Sequence, residues 1–318
     1  DTILEVLDLS VPTSLTQVAA IDIAAFSANI GGALVGGANS IAYSNGLIAV
    51  ALEAENQTDS GIVALVEIEQ ATQSDNILDA VQVFTVGPLP DMVTFTPDGS
   101  KILVANEGEP DTVENEDGSE FIVDPNGSVS IIDISGEFAS LNQDNVSTTD
   151  FLRFNGREAD LRADGVRIFP DATAAQDFEP EYIAVSPDGT KAFVTLQENN
   201  ALAIVDIKTA TVESIQPLGL KDFSIEGNGL DASDKDDAIN IQPQPVFGLY
   251  MPDSIAAFET DGATFYVIAN EGDDRGDADV QQHAGEPDSG DGEAAGQELA
   301  VGDAGVGEER EEDRGEQQ

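Results

Sequence analysis

Apolar and polar residues alternate along most of this chain, in short segments broken by turns that contain Gly. That is the pattern of half-buried β-strands joined by tight turns. One arrangement recurs. NSIAYSNGLIAVALE (39–53), DMVTFTPDGSKILVANE (91–107) and EYIAVSPDGTKAFVTLQE (181–198) are copies, and DSIAAFETDGATFYVIANE (253–271) is a looser one. Each holds an alternating segment, a turn, a second alternating segment and a terminal acidic residue. In the third copy Pro187-Asp188-Gly189 makes the turn, since Pro presets φ and Gly accepts positive φ. Third strands are predicted at 61–68 (GIVALVEI), 127–134 (GSVSIIDI) and 201–207 (ALAIVDI), and a fourth at 211–218.

Three or four antiparallel strands per repeat, rich in Val and Ile, predict an all-β chain built as a β-propeller of four-stranded blades. The copies begin at 39, 91, 181 and 253, farther apart than the roughly 40–45 residues of a simple blade. The excess falls mainly in 135–178 and 219–250, read as inserted loops. The expected organisation over 1–275 is a partial blade at 1–16, blades near 17–78, 79–150 and 179–220, and a partial blade at 251–275. Residues 3–8 (ILEVLD) match a third strand that has no hairpin before it. About four blades' worth of chain is therefore expected, as an incomplete fragment. Residues 276–318 are mostly Gly, Ala, Gln, Arg and acidic residues with few strong apolar ones, and are expected to be a disordered acidic tail, from truncation or a change of reading frame.

The repeat SPDGTKAFVTLQENNALAIVDIKTATV (186–212) is similar to the YVTN type of propeller repeat. More narrowly, LPDMVTFTPDGSKILVANEGEP, FEPEYIAVSPDGTKAFVTLQENNALAIVDI, NGLDASD and YMPDSIAAF with IANEGD resemble the bacterial choice-of-anchor I family, over roughly residues 1–275. That resemblance implies a secreted or surface-anchored propeller, with an extracellular, cell-surface or periplasmic location. Some members of the family are labelled alkaline-phosphatase-like.

Charge narrows the partners. The chain has 62 acidic and 12 basic residues, a net charge of −50, and the acidity is not confined to the tail. Such a field repels nucleic acid and anionic membranes and concentrates cations. It also suits a halophilic or marine setting, where salt screens the repulsion. No apolar run is long enough to span a membrane, and no signal peptide is visible. There is no Cys, which excludes disulfides and thiolate chemistry. The one histidine, His283, lies in the tail, which rules out a Ser-His-Asp triad and His-ligated zinc in the propeller. Gly-rich phosphate loops and a nucleophile elbow are absent. Sequons at Asn56, Asn126 and Asn145 carry little weight.

The hairpins bring the start of each first strand and the end of each second strand to one face. Asn39, Asp91, Glu181 and Asp253 are expected to circle the mouth of the channel, with Glu53, Glu107, Glu198 and Glu271 just outside. Carboxylates gathered this way repel and raise one another's pKa; a hard divalent cation, Ca²⁺ above all, is the partner that oxygen ligands suit. Glu109, Asp111, Glu114, Glu116, Asp117, Glu120 and Asp124 add acids in the loop after Glu107, and Asp273 and Asp274 follow Glu271. Solvated strand ends and loops are the plain reading of the same residues. The segment Asp231–Asp237 departs from an EF-hand, with Lys235, Asp236 and Gln242 where a ligand, the turn Gly and the final Glu belong. Arg153, Arg157, Arg162 and Arg167 are four of the seven arginines. They form either a phosphate or ligand site folded over the rim, or a helical segment pinned to an acidic body.

Two functions fit these residues. One is a cation-stabilised binding or scaffold module, its partner a protein or glycan. The other is a Ca²⁺-dependent phosphoesterase whose metal sits on the rim and whose arginines hold the phosphoester. The latter requires an arginine of 153–167 within reach of two or more of Asp91, Glu107, Glu181 and Glu198. No organic cofactor is expected.

Overall fold

The computed structural model describes residues 3–22, 35–73, 77–114, 118–233 and 235–272. The tail 276–318, Asp273, Asp274 and His283, and likewise Glu116, Asp117 and Asp234, lie outside the described residues.

The chain opens with a hairpin, β1 (Ile3–Asp8) on β2 (Thr16–Asp22). Three four-stranded antiparallel meanders follow. The first is β3 (Val35–Ser44), β4 (Leu47–Ala54), β5 (Ser60–Glu67) and β6 (Val81–Pro88). The second begins with β7 (Pro90–Phe95) and β8 (Lys101–Asn106), sends out a small hairpin of β9 (Asp111–Glu114) and β10 (Glu120–Val123), and closes with β11 (Ser128–Asp133) and β12 (Val146–Asp150). The third is β13 (Pro180–Val185), β14 (Lys191–Leu196), β15 (Ala201–Asp206) and β16 (Thr211–Pro217). After a short pair, β17 (Lys221–Asp222) with β18 (Phe247–Gly248), comes a last hairpin, β19 (Pro252–Thr260) on β20 (Ala263–Asn270). The first strands β3, β7, β13 and β19 pack side by side. This is a β-propeller. The first two blades meet at Pro88 and Pro90, because β6 joins the first sheet.

Both faces of a blade are buried, since each blade lies between two neighbours. On β8, Ile102 and Val104 pack with Val63, Leu65 and Phe84 of the first blade, whereas Leu103 and Ala105 pack with Val194 and Ala203 of the third. The second and third strands accordingly read as near-continuous apolar runs rather than strict alternation. The hairpin β1–β2 covers the outer face of the first blade through Ile21 and Leu4.

Blades are joined by one repeated contact. Gly61 and Gly127 stand at the start of a third strand, and a Cβ on either would lie 2.4 Å from Pro90 Cδ or 1.9 Å from the Phe178 carbonyl oxygen. Gly127 thus lets the entry to the third blade lie against the second. At the third joint the equivalent residue is Asn200, whose Oδ1 accepts from the N–H groups of Tyr250 (2.8 Å) and Met251 (3.2 Å). Between the second and third blades the insertion folds as α1 (Glu158–Asp164) and α2 (Ala174–Asp177). It is anchored by Phe151, Phe154 and Phe178, which meet edge to face.

Candidate functional site

The second, third and fourth copies start alike, with Pro followed by an acid: Pro90-Asp91, Pro180-Glu181 and Pro252-Asp253. Leu89 and Met251 precede two of these prolines with positive φ (45° and 46°). The left-handed region costs a Leu or Met roughly 1–2 kcal/mol. What it secures is hairpin closure: the Leu89 carbonyl accepts from Glu107 N–H at 2.9 Å, and the Met251 carbonyl from Glu271 N–H at 3.3 Å. The start of the first strand and the end of the second are thereby tied together, and Glu107 is set beside Asp91.

Asp91, Glu107 and Glu181 converge. One carboxylate oxygen from each lies within 4.8 Å of the others, and all three residues are half-buried. Asp91 and Glu107 come from the second blade and Glu181 from the third, so the cluster straddles a blade joint. Burial, then the charges of Asp253 and Glu53, push Asp91 up to about 6. Burial also raises Glu181 to about 7; the Glu107 hydrogen bond works against that rise, and Asp91, Glu198 and Asp253 add to it. Glu107 is raised well above the usual carboxylate range, by burial first and then by its hydrogen bond and charge contact with Glu181. Burial and crowding thus favour the protonated form of Glu107, which donates to the Glu181 carboxylate.

The other rim residues take distinct places. Asn39 Nδ2 donates to Glu53 Oε2 at 3.3 Å and to the Pro90 carbonyl at 3.4 Å. Glu53 lies over Gly36 and Gly37, where a Cβ on either would come within 3.0 Å of its Oε1. Asp253 adds charge to both Asp91 and Glu181, and Glu109 to Glu107. Asp111 opens β9 and accepts from Thr112 N–H at 2.7 Å. Glu271 is exposed.

Glu198 shows a difference of register that the repeat alignment conceals. Pro90 pairs with Asn106 and Pro252 with Asn270, so Glu107 and Glu271 follow immediately; Pro180 pairs with Leu196. Gln197 therefore stands where Glu107 stands in its own blade, and Glu198 is one step further on, buried at 8 % exposure. The signal was present in the sequence: Asp188 to Glu198 is one residue longer than Asp98 to Glu107. Beneath the rim, buried Asp177 accepts from Asn199 Nδ2 (2.6 Å) and Phe169 N–H (3.0 Å), a support that sequence reasoning did not single out.

The arginines are largely engaged elsewhere. Arg153 donates to the Val212 carbonyl on the outer strand β16 at 2.5 Å and lies 5.1 Å over the Phe154 ring; Arg157 lies 5.8 Å over the same ring. Arg162 donates to the carbonyls of Ile168 and Phe169. Arg167 Nη1 donates to the Glu198 carbonyl at 3.3 Å, which sets one guanidinium beside the rim. The charges that act on Asp91, Glu107 and Glu181 come from carboxylates.

Residues 1–309 match the choice-of-anchor I domain. The chain belongs to that family. No curated protein matches it. Among solved structures it is similar to the Pseudomonas aeruginosa periplasmic gluconolactonase PpgL, with 14 % identity, a TM-score of 0.39 and 73 % and 50 % of the two chains covered. It is similar also to Kuenenia stuttgartiensis hydrazine synthase, with 15 % identity, a TM-score of 0.37 and coverage of 73 % and 54 %. The β-propeller domain of the trilobed protease from Pyrococcus furiosus matches at 12 % identity, with a TM-score of 0.31 and coverage of 74 % and 55 %. The choice-of-anchor I chain thus spans about half the length of these structures. Among its described residues no helix is long and apolar enough to cross a membrane.

Proposed function

We propose that this choice-of-anchor I propeller is an extracytoplasmic binding or scaffold module whose blades are clamped by a divalent cation at the rim. The observation that carries the reading is the convergence of Asp91, Glu107 and Glu181 from two blades. Oxygen-only donors, half-buried and crowded, suit a hard cation such as Ca²⁺, which takes six to eight oxygens in flexible geometry. Asp91, Glu107 and Glu181 would hold the ion directly. Asp253, Glu53 and Glu198 would add negative field, and water or a partner's oxygens would complete the shell. The chain's large negative charge draws cations towards the rim at long range. Family membership supports a location outside the cytoplasm.

Calorimetric titration of the full chain with CaCl₂ tests this directly. Saturable binding that Asp91→Asn weakens at least tenfold is the expected result. Equal, weak heats for the parent and the variant would reduce the cluster to solvated strand ends.

A Ca²⁺-dependent phosphoesterase is the second reading. The contact of Arg167 with the Glu198 main chain supports it, since a guanidinium beside a metal can hold a phosphoryl group. Turnover of a generic phosphomonoester in the same calcium-loaded samples, abolished by Arg167→Met, is what that reading requires. Binding without turnover favours the scaffold.

A further inference from the structure

We draw no further inference here: the strongest candidate, the outer edge of β20 in the last hairpin with Phe258 and Val267 exposed beside it, is a sheet edge unpartnered among the described residues, and nothing in the structure shows what covers it.

Discussion

Glu107 is the residue on which the rim turns. Half-buried beside Glu181 and Asp91, its carboxyl is pushed well above the usual range, first by burial and then by its contact with Glu181. Replacement by Gln keeps a donor towards Glu181 but removes the charge a cation needs. Glu107→Gln is therefore expected to leave the cation-free protein as stable as the parent or more so above pH 7, and to weaken Ca²⁺ binding at least tenfold. Melting curves and calorimetry read the two effects separately; a loss of stability without cation would mean that Glu107 is ionised there. The pH dependence has a definite sign. Asp91 at about 6 and Glu181 at about 7 lie above ordinary carboxylate values, so the native state holds more protons than the unfolded chain between about pH 4 and 7. These groups favour the folded state most fully below their unfolded pKa values, and that contribution is lost as pH rises through the folded ones. In chelator the melting temperature is expected to fall across that window, and Ca²⁺ to flatten the fall above pH 6. A profile in chelator that rises steadily to pH 8 would contradict the assignment.

At the scale of the elements, the hairpins and third strands were legible because short Val- and Ile-rich segments, PDG turns and the Asp133 and Asp206 strand ends repeat in the sequence itself. The gathering of acids at one end of the hairpins follows from the same repeat. The pairing of Glu107 with Glu181 is different: it depends on how closely two blades approach, and that is set by Gly127 against Phe178 and Pro180. A single sequence carries no periodic signal for such a contact. The offset of Glu198 was present as one extra residue, but strand register is settled only by the pairing of Pro180 with Leu196. The arginine-rich insertion was ambiguous for a related reason, since Arg153 and Arg162 bind main-chain carbonyls, which composition does not reveal. Gly127→Ala tests the joint. A Cβ would fall 1.9 Å from the Phe178 carbonyl oxygen, so the substitution is expected to cost about 3 kcal/mol in denaturant unfolding and to weaken calcium binding with it. Gly136→Ala, whose Cβ would meet only side chains at 3.6 Å or more, is expected to be near neutral. Equal stability of the two variants would show that the joint relaxes freely.

The whole molecule carries a net charge of −50. Self-repulsion on that scale opposes compactness and is screened by salt, with a Debye length of about 10 Å at 0.1 M falling to about 3 Å at 1 M. Stability in chelator is expected to rise with NaCl well beyond 0.1 M, and far less NaCl to be needed once Ca²⁺ is bound. A melting temperature flat from low to molar salt would count against a halophilic design. Rim and surface are expected to differ here, because monovalent salt screens the exposed acids while the proposed site at a blade joint would take either protons or one multivalent ion. We propose that Asp91, Glu107 and Glu181 exchange protons for that ion. That exchange is tested most directly by titrating the full chain with CaCl₂ at pH 6.5 in two buffers of different ionisation enthalpy, which measures the protons released on binding. Saturable binding with at least one proton released per ion is the predicted result; binding without proton release, or none at all, would contradict it.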